Sequence, residues 1–258
     1  MGTRVPFGTT AAPDLLTDRS KDVPLTLVRD RALQEFLWQQ SQVRGLRLCS
    51  KQQPCHSAIC PSCRGRRATK YRAGITPVAD GYADVLEVVL SIRSQQNLAD
   101  AWARMAEARI MFLENGWLTK KSDAWLRQTE VTHGPDGWHL HDNYLIFDHD
   151  PAVLEKLAAL AVDRWIDCAT RTGSVAGQDG QHARLHHGTR QRVLYVTKGL
   201  MTQKGDPKTT GHTPADLLAL YQAGDADAAD RWDELEVFVI GARRYWRAKG
   251  GKFRGAGK

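Results

Sequence analysis

The stretch "EVTHGPDGWHLHDNYLIF", from Glu130 to Phe147, holds three histidines, a glutamate and an asparagine around a short turn. Imidazole nitrogens with carboxylate or amide oxygens form the mixed donor set that suits Mn, Mg or Zn. Pro135 and Asp136, flanked by Gly134 and Gly137, have the composition of a turn between extended segments. A turn centred there sets Thr132 opposite His139, Glu130 opposite His141 and Gln128 opposite Asn143. Side chains alternate along a strand, so His139, His141 and Asn143 share a face with Glu130 and Thr132, while His133 faces the other way. Taken alone, these residues fit either a metal site or a half-exposed hairpin with polar groups on its solvent side. The carboxylate set against an imidazole, with no cation beside it in the sequence, brings the two readings level.

A second cluster is sulfur-rich. Cys49, Cys55, Cys60 and Cys63 fall within fifteen residues, with His56 beside them. A cytosolic chain has little use for disulfides, so clustered thiols point to a structural zinc. Cys60-Pro-Ser-Cys63 is the short knuckle that supplies two of four tetrahedral ligands. Cys49 and Cys55 are more widely spaced, and His56 is an alternative to one of them; burial of Cys55 and Cys60 as small apolar groups is the competing reading. Arg64, Arg66, Arg67 and Arg72 follow in "RGRRATKYR", expected on the metal-clamped loop and facing phosphates. Cys168 stands alone in an apolar helical pattern and is expected in the core.

Charge is segregated. Arg44 to Arg72 contains eight Lys/Arg and no acid, and Arg243 to Lys258, including Arg244, contains seven and no acid, within a net charge of +7. Two cationic surfaces on a mildly acidic body suit a nucleic-acid backbone. No apolar run is long enough to span a bilayer and the first residues lack the apolar stretch of a signal peptide, so a cytoplasmic protein with no membrane partner is expected.

These residues need elements to hold them. Residues 1–24 are polar and unpatterned, expected as a flexible arm. Leu25 to Val43 has helical spacing and opens a 25–80 segment that includes the cysteines. "DVLEVVLSIR" (Asp84 to Arg93) reads as a buried strand and "NLADAWARMAEARIMFLENG" as an amphipathic helix ended at Gly116. The hairpin follows, then a helix from Asp150 as N-cap and Pro151 to Gly173. Ser174 to Thr189 reads as loop, and 211–258 as helical segments with a basic tail. The order predicts an α+β fold, an antiparallel sheet with helices packed on one face.

With these pieces in view, the chain resembles the replication initiators of rolling-circle plasmids, of the HUH endonuclease superfamily, most closely the actinobacterial type. The resemblance rests on "CHSAICPSCRGRR", "VVLSIR" before "LADAWARM", "EVTHGPDGWHLH", "LYVTKG" and "TPADLLALYQAGDADAADRWDELEVFVIGARRYW", in that order over most of Cys49 to Trp246. It implies a ferredoxin-like or RRM-like core over 81–210, a divalent metal (Mg or Mn) on the sheet, and a nucleophilic tyrosine, here Tyr195, assisted by Lys198. The residues alone leave "RVLYVTKG" open between helix and strand. The implied activity is nicking of plasmid origin DNA, with single-stranded DNA as substrate and a host helicase and polymerase as partners. Aligned by "YLIF", the metal pair becomes His141 and Asn143, with Glu130 as third ligand and His139 as a further candidate. Asparagine ligates through its carbonyl oxygen, which favours hard ions. Where some relatives carry a glutamate one turn before the tyrosine, this chain has Gln191, which cannot act as a general base. A non-catalytic DNA-binding relative and a water-using metal phosphodiesterase are the alternatives.

Overall fold

The computed structural model describes residues 59, 61–118, 120–197, 211–241 and 246–256. Their elements run α1 (Pro61–Ala79), β1 (Asp84–Ser91), α2 (Leu98–Leu113), β2 (Ala124–Gly134), β3 (Gly137–Phe147), α3 (Pro151–Arg171), β4 (His182–His187), α4 (Arg190–Val196), α5 (Pro214–Gln222), α6 (Ala226–Gly241) and β5 (Arg247–Gly251). The five strands form one antiparallel sheet in the order β4-β1-β3-β2-β5. The fold is α+β with flanking helices. The expected helix at Leu25 to Val43 and the arm before it lie outside the described residues.

Local chemistry explains the helix starts. Asn97 Oδ1 accepts from the backbone N–H of Ala99 and Asp100, capping α2. Asp150 caps α3 by accepting from Ala152 N–H, with Pro151 at the first helical position where its missing donor costs nothing. Thr213 and Asp216 form a reciprocal capping box at α5.

The sheet has two covered faces, not one. On the first, Leu86, Val88, Leu90, Val131, Leu140, Tyr144 and Ile146 pack with residues of α2, α3, α5 and α6. On the second, Val85, Leu126, Leu145 and Phe147 pack with Ile75 and Ala79 of α1, Val193 and Val196 of α4, and Phe253. The single-face expectation is therefore corrected. α1 opens in the Cys/Arg-rich stretch, and among the described residues those of α1 that join this apolar face, Tyr71, Ile75, Val78 and Ala79, lie in its C-terminal half. "RGRRATKYR" accordingly lies on that helix and not on a loop.

Two further expectations change. Ser174 to Thr189 contains β4, whose "HARLHH" lacks an apolar run because it is an edge strand with three of its six residues exposed and none buried. The basic tail supplies β5, which pairs with β2 from Ala124↔Gly251 to Gln128↔Arg247, so the C-terminal region completes the sheet. Among the described residues, no helix is long and apolar enough to cross a membrane.

Candidate functional site

The hairpin register is the one its turn chemistry implies: Thr132↔His139, Glu130↔His141 and Gln128↔Asn143. Gly137 sits at φ +96 as the chain leaves the turn, in the left-handed region that glycine enters without strain. Since Leu126 and Leu145 belong to the second face, alternation sets Gln128, Glu130, Thr132, His139, His141 and Asn143 on that same face. The apolar part of this face thus gives way, two residues along each strand, to a polar part.

There Glu130 Oε2 and His141 Nε2 lie 2.9 Å apart, each side chain mostly shielded from water. The His139 ring centre is 5.8 Å from that of His141, and its Nδ1 is 3.5 Å from Ser94 Oγ. Asn143 is buried, and its amide nitrogen has no hydrogen-bond partner among the described residues. Ser91 of β1 stands opposite His141 and is fixed by Gln181, whose Oε1 accepts from its backbone N–H at 2.6 Å. His133 is on the first face, edge-on to Trp138.

A cation fits this donor set in two respects. Two ligands at right angles on an ion with bonds of about 2.1 Å have donor atoms about 3 Å apart, close to the Glu130–His141 separation. The orphaned end of the Asn143 amide, with the group turned over, offers an oxygen to the same face. Among the described residues no three His, Cys, Asp or Glu side chains converge as a metal cluster.

Behind this pair, on the first face, lies a buried ionic network. Arg109 donates to both Asp142 oxygens, at 2.7 and 3.0 Å, Thr129 Oγ1 donates to Asp142 at 2.6 Å, and Arg127 lies 3.8 Å away. Burial alone would raise the Asp142 carboxyl; Arg109 and Arg127 outweigh it and hold the carboxyl below its usual range. Thr129 precedes Glu130 and Asp142 follows His141, so the network clamps the two strands directly behind the site.

Tyr195 lies on α4, a helix and not a strand, and is 44% exposed. α4 is tied down at both ends on the second face. Arg192, three residues before Tyr195, donates to Glu87 of β1 at 3.2 Å, and Glu87 also meets His186 Nε2 at 2.9 Å. Thr197, just after the helix, accepts at its carbonyl from Arg247 (3.3 Å) and at its hydroxyl from Arg72 (2.8 Å). Arg247 Nε reaches Gln128 Oε1 at 2.6 Å, which links the end of the helix bearing Tyr195 to the strand position next to Glu130 on that face.

Of the other expected residues, Cys63 is buried in the first turn of α1, with Arg66 Nη2 4.0 Å from its sulfur. Cys49, Cys55, Cys60, Lys198, Arg243 and Arg244 lie outside the described residues, as does the side chain of Arg64. Arg66 and Arg67 are exposed; Arg72 is half-buried against Thr197. Arg247, Glu87, Arg192 and the alternating His182, Arg184 and His186 escaped the sequence reading. The i, i+2 recurrence of basic residues in "HARLHH" was the available signal for a strand with a cationic face. Compared with protein-family models, curated proteins and solved structures, the chain matches none.

Proposed function

We propose that the protein is a metal-assisted, tyrosine-dependent DNA-nicking enzyme of the kind that initiates rolling-circle plasmid replication. One observation carries this reading: the Glu130–His141 pair and the helix bearing Tyr195 share one face of the sheet and are joined through Arg247. Glu130, His141 and Asn143, with His139 as a further donor, would hold Mg or Mn, which when bound supplies a Lewis acid for the scissile phosphate. The clustered Cys49, Cys55, Cys60 and Cys63 would hold a structural zinc.

The chain's own residues have separable tasks. The Tyr195 hydroxyl loses its proton and attacks phosphorus. A Tyr195 O–P bond forms, the P–O3′ bond breaks, and the departing oxygen takes a proton to give a free 3′-hydroxyl. The 5′-phosphotyrosyl link conserves the bond for later rejoining, and the 3′-hydroxyl primes a polymerase. Phenols ionise near pH 10, so a neighbouring cation is needed. Arg192 lies on the same stripe of α4 as Tyr195, oriented by Glu87; Lys198, three residues further in the sequence, is assigned to the phenolate or a phosphate oxygen. Exposure of Tyr195 suits a group that must meet a macromolecular substrate.

Asn143 in place of a histidine favours the second reading, a DNA-binding relative that does not cleave. Supercoiled plasmid carrying the DNA that flanks this chain's own coding sequence, incubated with the protein and Mn²⁺, separates the possibilities. The proposal requires nicked circles bound to protein through their 5′ ends. Intact plasmid would establish the regulator, and nicks without attachment a water-using phosphodiesterase.

A further inference from the structure

Thr197 collects two guanidinium groups from distant parts of the chain. Arg72 of α1 donates through Nε to its hydroxyl, and Arg247 of β5 donates through Nη2 to its carbonyl. Arg247 Nε is held by Gln128, and the guanidinium lies 4.9 Å over the ring of Tyr71. Each guanidinium carries five N–H donors in a fixed fork, and these bonds use only some of them. Neither Arg72 nor Arg247 is paired with a carboxylate among the described residues.

Such an arrangement is costly unless an anion completes it. Burial makes the Arg247 cation harder to keep; Tyr71 offsets this in part, and Arg67 and Arg72 then push in the same direction as burial. Anchoring α4 to β5 needs only one neutral donor, so convergence of like charges on one residue is unexplained by packing. Planar forks of this kind match the oxygens of a phosphate.

We propose that Arg72 and Arg247 form a phosphate-binding subsite at the C-terminal end of α4, which seats a backbone phosphate of single-stranded DNA next to the one attacked by Tyr195. The inference rests on the functional reading above and adds the residues that hold the strand. Gln128 and Thr197 orient the two guanidiniums, so the subsite is fixed to the strand that carries Glu130 and to the helix that carries Tyr195.

The test is fluorescence anisotropy of the full chain with labelled oligo(dT) over a range of salt concentrations. Each single-strand phosphate contact contributes a salt slope of about 0.7, so Arg72→Gln and Arg247→Gln should each weaken binding about fivefold in 0.1 M salt and flatten the slope by that amount. Arg247→Lys keeps the charge and should keep most of the slope. Wild-type affinity and slope in both Gln variants would overturn the subsite. Arg72 is only half-buried, so its variant decides the matter alone should Arg247→Gln fail to fold. The outcome is independent of the nicking assay. A flattened slope with no protein–DNA adduct in the wild type removes the nicking reading and leaves the subsite, whereas an adduct with unchanged slopes removes the subsite alone.

Discussion

Arg109 grips Asp142 with two hydrogen bonds on the opposite side of the sheet from the Glu130–His141 pair. Asp142 is fully buried and Arg109 is 6% exposed, so removing one partner strands a charge in the core. Arg109→Leu should cost about 3–5 kcal/mol in urea unfolding. Because the folded Asp142 carboxyl lies below its unfolded value, its contribution is present above about pH 3.9 and is lost as pH falls through the folded value. Asp142→Asn should therefore flatten the acid limb of the stability curve, and an unchanged limb would contradict the pairing.

His133 titrates with the opposite chemistry and the same sign. Burial lowers its folded pKa, Arg231 and His212 lower it further, and Glu234 partly opposes them. The unfolded chain therefore binds the proton more readily. Stability from this group is complete above about pH 6.5 and falls as pH drops through the folded value. Melting temperature should decline more for the wild type than for His133→Gln between about pH 7 and pH 5; parallel declines would remove His133 as the source.

Gly137 ties the hairpin to the rest of the fold. It sits at φ +96, and a Cβ there would run into the backbone of Gln95 and Gln96, next to the Gln95↔Trp138 bridge. Gly137→Ala should destabilise by about 1–3 kcal/mol. Gly173→Ala, also at positive φ but facing open space, should cost less. Equal losses in chemical denaturation would show that the close approach is irrelevant.

The same hairpin shows what a sequence makes legible. Its register follows from four turn residues and strict alternation, both local, so the Glu130–His141 pairing can be read before any coordinates. Asp150 and Pro151 announce α3 in the same local way. β4 and β5 are different: "HARLHH" and "RAKGG" have no apolar periodicity, and their partners, Glu87 and Gln128, lie roughly a hundred residues away in the chain. The second covered face is not legible because α1 begins among cysteines and arginines, which read as a metal loop. Arg247 reads as tail charge, since nothing near it in sequence foretells a strand in the sheet.

Glu130→Gln keeps size and polarity while removing the carboxylate that faces His141. Nicking should fall about 10–100-fold, as for other disturbances around a metal site, with oligo(dT) binding measured without added metal unchanged because Arg72 and Arg247 lie apart from Glu130. Loss of binding in step with nicking would assign Glu130 to folding instead.

The central claim is that Tyr195 is the nucleophile, and the most direct measurement is mass spectrometry of the protein recovered from the nicking reaction after nuclease and protease digestion. The peptide containing Tyr195 should carry a 5′-linked nucleotide, and Tyr195→Phe, at a 44% exposed position, should fold normally and carry none. A nucleotide on another residue, or an adduct that persists in Tyr195→Phe, would contradict it.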